Sequence, residues 1–457
     1  MVVKSLKAQS VVDTEVRTGE VFRPIHYLGS KLRLLTDIAD AVNAVSSGNG
    51  VICDLFSGSG VVSSFLAQKR PLIAVDIQEY ARVLASSAFL ATTVEVNEFI
   101  DLLDCRESKN LKIQLIHAFS PLIEYEEECV EKARQGNSES LAELIELGSL
   151  VTAGYHASSN INAKKAFARV VDNLNRSNLN DAGLISRYYG GLYFNYEHAI
   201  HIDVLLSKVP SLPRELQDLG KGIALSTASD LVRTVGKQFA QPLRPRSKSG
   251  VPKPSLWKVV QKSRQVGAED VTRNWIQKYL NRPHTVSGSI AVRDDYRQFL
   301  RHSSLPIEVV YADPPYTRDH YSRFYHVLET ICLRDQPKLS RTNLNGGMAV
   351  SRGAYRIDRH QSPFCIRSQA PNAFNELFDL VSKRGSNLVL SYSPQAEGAS
   401  VHPRVMKLET ILELAGKFFK EIETQYSNAF LHSKLNRSDL HLQTPETSEV
   451  LLVCRNH

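Results

Sequence analysis

Residues 50–76 constrain the fold of this chain more than any other stretch. Gly50-Val51-Ile52-Cys53-Asp54-Leu55-Phe56 is a short apolar run with an acid near its end, and it reads as a buried strand. Ser57-Gly58-Ser59-Gly60 breaks that run, residues 61–68 carry a helical pattern, and Pro71-Leu72-Ile73-Ala74-Val75-Asp76 reads as the next strand. Strand, turn, helix and strand, with an acid closing each strand, is the pattern of a parallel, doubly wound α/β sheet. Glycines in such a turn let the backbone approach a ligand closely, and the helix start offers N–H groups. Asp76 follows at about 20 residues, the spacing at which an acid accepts hydrogen bonds from ribose hydroxyls. An adenosine-bearing cofactor fits this arrangement. The third glycine of a dinucleotide fingerprint is replaced by Ser63, which disfavours NAD.

A second stretch, Val309-Val310-Tyr311-Ala312-Asp313-Pro314-Pro315-Tyr316, ends a strand abruptly. Proline cannot donate to a sheet ladder, so the strand stops and Asp313 is left at the carboxyl edge, where open α/β sheets bind ligands. An exocyclic amine on a base is a poor nucleophile because its lone pair is delocalised into the ring. The Asp313 carboxylate and the Pro314 carbonyl can each accept a hydrogen bond from such an amine. Both bias the nitrogen toward a tetrahedral geometry and stabilise the positive charge of attack. Pro315 stiffens the turn, and Tyr316 offers a stacking face for a base drawn out of its helix.

These elements sit in a chain of 457 residues, 42% hydrophobic and 23% charged, with a net charge of +7 and a pI near 8.9. The balance permits a nucleic-acid partner without demanding one. Six scattered cysteines form no CxxC pair, which argues for reduced thiols in a cytoplasmic protein and against a metal site. No signal-peptide core and no apolar run of about 18 residues is present, so no membrane partner is expected. A polar lead-in over residues 1–21 precedes Phe22-Arg23-Pro24-Ile25-His26-Tyr27-Leu28-Gly29-Ser30-Lys31 and a helix with Leu32, Leu35, Ile38, Ala39 and Val42 on its apolar face. From about residue 97 to 285 the strand rhythm gives way to helical patterns, such as residues 121–134 and 138–147. Strands resume at 307–312, 387–391 and 449–454. The expected architecture is a Rossmann-like catalytic domain in two parts, 1–97 and 286–457, interrupted by a mainly helical insertion over 98–285.

The sequence resembles the alpha-group N6-adenine DNA methyltransferases, the group of DNA adenine methylase. Three elements carry the resemblance in that group's order: Tyr27-Leu28-Gly29-Ser30-Lys31, then Asp54-Leu55-Phe56-Ser57-Gly58-Ser59-Gly60, and last Asp313-Pro314-Pro315-Tyr316. The resemblance implies S-adenosylmethionine as cofactor. It implies that Tyr27, Gly29 and Lys31 line its pocket beside Asp54, Phe56, Gly58 and Gly60, with Asp76 on the ribose. Asp313, Pro314, Pro315 and Tyr316 would be the catalytic set acting on a flipped adenine. Asp295, the acid just before Tyr296, resembles the position that reaches the cofactor's adenine, although a solvated Arg-Asp-Asp loop explains it equally well. Residues 389–393 resemble a core strand beside the target-base pocket, with no chemistry assigned to them.

The insertion is the departure from the small members of that group. Its aromatic stretch Arg187-Tyr188-Tyr189-Gly190-Gly191-Leu192-Tyr193-Phe194-Asn195-Tyr196 could stack on bases, but a packed core turn is the favoured reading. Residues 233–264 hold no acid, and Arg244, Arg246, Lys248 and Lys253 are expected to contact phosphates or a groove of double-stranded DNA. Arg318 and Arg323, just beyond the catalytic turn, are expected to pair with flanking phosphates; His320 and His326 read as structural or DNA-contacting. The expected activity is site-specific adenine methylation by a monomeric bacterial or phage enzyme, with a cognate restriction endonuclease as possible partner. An RNA adenine methyltransferase and a non-catalytic nucleic-acid-binding protein with the same fold remain open alternatives.

Overall fold

The structure is a computed structural model that describes residues 21–91, 94–154, 160–317, 321–344, 347–393, 404–427 and 449–456. Among the described residues the strands in chain order are β1 (Val51–Leu55), β2 (Leu72–Asp76), β3 (Ile290–Arg293), β4 (Ile307–Ala312), β5 (Arg341–Leu344), β6 (Gly347–Val350), β7 (Asn387–Tyr392), β8 (Glu421–Ser427) and β9 (Glu449–Arg455). Seven of them form one sheet in the order β3-β2-β1-β4-β7-β9-β8. β1, β2, β3, β4 and β7 run parallel, while β9 is inserted antiparallel between β7 and β8. This is the Rossmann-like, doubly wound sheet that the sequence pattern predicts.

The central strands are apolar on both faces because helices cover both. Cys53, Leu55, Val310, Ala312, Leu388 and Leu390 pack into one layer with Phe374, Leu377 and Phe378. Ile52, Val309, Tyr311, Val389, Leu451 and Val453 pack into the other with Ile38, Val42 and Leu66. Each strand deals its side chains alternately to the two layers, so a one-residue slip would exchange them. The strand order reverses between β1 and β4. Leu55 pairs with Ala312 there, so the glycine turn and Asp313 leave the sheet side by side.

The chain divides into two compact units, one of Met1–Ala91, Arg282–Tyr321 and His360–His457, the other of Thr92–Asn281 and Ser322–Arg359. The first holds the seven-stranded sheet. The second is mainly helical and also contains the β5–β6 hairpin. Residues 322–359, grouped by sequence with the second catalytic part, thus cluster with the helical unit instead. Leu115, Phe119, Leu122, Leu141, Leu144, Phe167 and Val170 anchor the core of that unit.

Two details of the helical unit bear on the sequence reading. A single helix, Arg106–Arg134, runs through Pro121, where the sequence suggested a helix start. An interior proline costs about 3 kcal/mol, but the buried stripe Leu115, Ala118, Phe119, Leu122, Tyr125 and Cys129 continues on both sides of it and outweighs the break. Tyr188, Tyr189, Leu192, Tyr193, Phe194 and Tyr196 are all buried, which bears out the core reading of the aromatic stretch. His326 is buried among them, its ring centroid 5.7 Å from Tyr189 and 5.6 Å from Tyr193, and burial pushes its imidazole down to about 3. It is a neutral structural histidine. None of the described helices is long and apolar enough to cross a membrane.

Candidate active site

The glycine turn after β1 is held from below and from the side. The amides of Gly58 and Gln78 donate to the two oxygens of Asp76 at 3.0 and 2.9 Å. Gly58 and Gly60 adopt φ values of 52° and 73°, and Phe56 is forced to 64°. A non-glycine residue at positive φ is strained, and such strain is concentrated at functional sites. The Phe56 ring is held 5.3 Å from Tyr296 and 5.4 Å from Phe364. A Cβ added to Gly58 would lie 2.6 Å from the Tyr27 hydroxyl, so Tyr27 rests directly against the turn, as the resemblance implies. Gly58→Ala is therefore expected to displace Tyr27 and to cost about 1–2 kcal/mol of stability from its positive φ alone. Calorimetric titration with cofactor and a melting curve on the same variant check both effects; unchanged cofactor affinity would separate Tyr27 from the pocket.

Asp54, at the end of β1, is 1% exposed and accepts a hydrogen bond from the Ser63 hydroxyl. The serine that replaces a fingerprint glycine thus anchors the strand's own acid. Burial pushes the Asp54 carboxyl up to about 7; the Ser63 hydrogen bond opposes this, and the charges of Asp313 and Asp76 add to it. An acid whose folded pKa lies above its unfolded value binds its proton more tightly in the native state. The stability it contributes is complete below about 3.8 and is lost as pH rises through about 7. Asp54→Asn removes that titration. The melting temperature of the variant relative to wild type is expected to climb between pH 4 and 7, and a constant difference across that window would refute the assignment.

Two buried hydroxyls at this edge, Ser30 Oγ and Ser57 Oγ, have no hydrogen-bond partner among the described residues. Buried polar groups are normally satisfied. Both lie on the segments that the resemblance assigns to the cofactor. The donor and acceptor character of this edge, with Asp76 beside it, suits an adenosine-bearing molecule.

The second half of the site is built around one lysine. Lys31 is 5% exposed, and its ammonium lies 3.0 Å from Asp313 Oδ1 and 2.8 Å from Glu449 Oε1. Burial alone would lower its pKa, but Asp313 and Glu449 override that and hold it well above the usual lysine value. Lys31 is thus a permanent cation bridging two carboxylates. Glu449 is 1% exposed and also accepts from Ser391 Oγ at 2.8 Å and from the Tyr316 hydroxyl at 3.3 Å. Tyr316 is itself buried, with its ring 5.0 Å from Tyr392 and 5.0 Å from the Arg404 guanidinium. Arg404 is fixed by two hydrogen bonds to Ser393, at 2.7 and 2.9 Å. Pro314 is buried, and no described donor reaches its carbonyl; the Pro315 carbonyl accepts from the Cys365 thiol at 3.4 Å.

The structure brings Tyr27, Phe56, Gly58, Gly60 and Asp76 together at one edge and Lys31, Asp313, Pro314, Pro315 and Tyr316 together beside them. Lys31 pairs with the acid of the Asp-Pro-Pro-Tyr turn, a contact the sequence reading did not anticipate. Gly29, at φ 75°, is the hinge that turns the segment toward it. Asp295 caps the helix Tyr296–His302 and takes two side-chain hydrogen bonds from Arg297, at 2.8 and 3.0 Å. Glu449, Ser391 and Arg404 were missed. Glu449 left one trace in the sequence, as the acid that opens an otherwise apolar strand.

Of the basic residues, Arg246 is committed to ion pairs with Glu139 and Glu146, the latter at 3.0 Å. Arg233, from the same acid-free stretch, is buried against Glu126. Arg244, Lys248 and Lys253 are exposed. Arg323 is half-buried at the start of the helix Ser322–Leu333. Arg318 and His320 lie outside the described residues.

A doubly wound sheet of this order, with a glycine turn and an Asp-Pro-Pro-Tyr edge at its switch point, is consistent with a Rossmann-like methyltransferase fold. Residues 27–174 match the family model of the D12 class N6 adenine-specific DNA methyltransferases. Two curated relatives are similar over part of their length. Modification methylase LlaI of Lactococcus lactis subsp. lactis is 26% identical over 186 residues, 39% of this chain and 26% of the relative. Type II methyltransferase M.FokI of Planomicrobium okeanokoites is 28% identical over 137 residues, 29% of this chain and 18% of the relative. The matches thus cover about a quarter or less of each relative's own length. No solved structure matches the chain.

Proposed function

We propose that this protein transfers a methyl group to the N6 amine of a flipped adenine in double-stranded DNA. The observation that carries the reading is the β1–β4 register: it sets the glycine turn and the Asp313 edge side by side, one suited to an adenosine-bearing molecule and the other to a base amine. S-adenosylmethionine, when bound, supplies an electrophilic methyl group. Tyr27, Ser30, Ser57, Gly58 and Asp76 are the residues that would hold it.

The protein's own part is positioning and charge. The Asp313 carboxylate and the Pro314 carbonyl accept hydrogen bonds from the adenine amine and draw its lone pair out of ring conjugation. The Lys31 ammonium, 3.0 Å from Asp313 Oδ1, holds that carboxylate in place. As the nitrogen becomes positive, Asp313 stabilises it, and the amine proton leaves to solvent after transfer. Tyr316 is tied to Glu449 and packed on Tyr392, so it walls the base pocket and fixes the turn. We further propose a cytoplasmic monomer that works in a modification system beside a cognate restriction endonuclease; the relatives' names as a modification methylase and a type II methyltransferase support the modification role alone.

The test is transfer of labelled methyl groups into mixed-sequence duplex DNA, followed by nucleoside analysis. Labelled N6-methyladenine is expected. Label confined to RNA stem-loops would move the substrate to RNA, and cofactor binding without turnover on either would leave a nucleic-acid-binding protein.

A further inference from the structure

The helical unit holds a pair of cations that no described carboxylate neutralises. The Arg323 guanidinium lies 4.9 Å from the centre of the Tyr355 ring, and the Arg359 guanidinium lies 5.2 Å from the same centre. Arg323 also reaches the Tyr355 hydroxyl at 3.5 Å, and Arg359 donates to the Arg356 carbonyl at 2.7 Å. Neither guanidinium has a carboxylate partner among the described residues. Two acids of the same segment are spent elsewhere: Asp335 and Asp358 both pair with Arg356, at 2.6 and 2.8 Å. Arg352 adds a third positive charge on the same loop, donating to the Leu243 carbonyl at 2.8 Å.

The ring between the two cations is fixed. The Tyr355 hydroxyl bonds to the Ala240 carbonyl, its backbone amide donates to Ser351 Oγ at 3.2 Å, and a Cβ at Gly353 would collide with the ring. Burial and the neighbouring Arg323 both push the Arg359 guanidinium below its ordinary value. Two like charges held on one half-buried ring repel each other, and aromatic contact offsets this only in part. The cost is recovered when an anion bridges them. Planar guanidinium forks suit a phosphodiester better than a monatomic ion.

We propose that Arg323 and Arg359, set on the Tyr355 ring, form a phosphodiester clamp that grips the backbone of duplex DNA. The clamp rests on the reading of DNA as substrate and adds to it a phosphate-contacting site. It also shifts weight away from Arg246, whose charge is consumed by Glu139 and Glu146.

The experiment is fluorescence anisotropy of the full-length protein on two unrelated duplexes across a salt series, with an RNA stem-loop as a further arm. Each lost phosphate contact lowers the slope of log K against log salt by about 0.9. Between about 50 and 200 mM salt, wild-type affinity should therefore fall about 3.5-fold more steeply than that of Arg323→Ala or Arg359→Ala, and about 12-fold more steeply than that of the double variant. Both duplexes should be affected alike, and Arg323→Lys/Arg359→Lys, which keeps the charges, should restore most of the slope. A double alanine variant with the wild-type slope, where wild type binds duplex, overturns the clamp while leaving the function intact. A slope change seen with RNA alone overturns its assignment to duplex DNA. Absence of wild-type binding to any duplex overturns the underlying substrate reading, and the clamp with it.

Discussion

On the proposed reaction, Asp313→Ala is expected to lower kcat for methyl transfer by about 10²–10³-fold, the cost of removing one preorganised group that meets developing charge. Asp313 is placed to do two things. It accepts a hydrogen bond from the amine before attack, and its charge offsets the positive nitrogen afterwards. The distinction can be measured. Asp313→Asn keeps an acceptor oxygen but loses the charge, and Lys31, 3.0 Å away, would then be balanced by Glu449 alone. The asparagine variant is therefore expected to be nearly as impaired as the alanine one. Both should fold, because the buried Lys31–Glu449 pair persists in each. A near-wild-type Asp313→Asn enzyme would mean that the carboxylate works only as a hydrogen-bond acceptor.

The second large effect is expected at Glu449. Its Oε1 atom takes hydrogen bonds from Lys31, Ser391 and Tyr316 at once. Glu449→Leu leaves a buried ammonium with a single partner, and breaking a buried pair in this way costs about 3–5 kcal/mol. The melting temperature should drop sharply. Glu449→Gln is the more informative change, because an amide oxygen can still accept from Ser391 and Lys31. Without the negative charge, however, Lys31 bears wholly on Asp313. The net charge of the three-group cluster rises from −1 to zero, and the positive charge growing on the amine is less well met. A fall in kcat of about 10–10²-fold with little change in KM for DNA is expected. A glutamine variant with wild-type kcat would reduce Glu449 to a structural role.

These two residues also show what a sequence discloses. Asp313 was legible because proline stops a strand wherever it falls, and the acid before it must then stand at the sheet's edge. The glycine turn was legible for the same kind of local reason, since positive φ at Gly58 and Gly60 is a property of the residues themselves. Glu449 was not, because it reaches Lys31 only through the antiparallel insertion of β9 between β7 and β8, a pairing that no local pattern specifies. The ion pairs of Arg246 were hidden for a related reason. Its neutralising acids, Glu139 and Glu146, lie about a hundred positions earlier, so an acid-free stretch of sequence was not an acid-free region of space. The contact of Asp295 with Arg297, two residues on, which claims both of its oxygens, was likewise not read from the sequence.

The helical unit is assembled from two separate lengths of chain, and this limits how such a protein can be recombined. Tyr189 bonds to Thr330, Tyr193 to the Gly353 carbonyl, and His326 to the Phe239 carbonyl, so each length completes the interior of the other. A chimaera that borrowed residues 92–281 from a relative and kept its own 322–359 would bring together aromatic surfaces that never co-evolved. Heritable exchange of this unit therefore has to move both lengths together, across the intervening Asp313 turn. The helical unit and the Asp313 turn are interleaved along one length of chain.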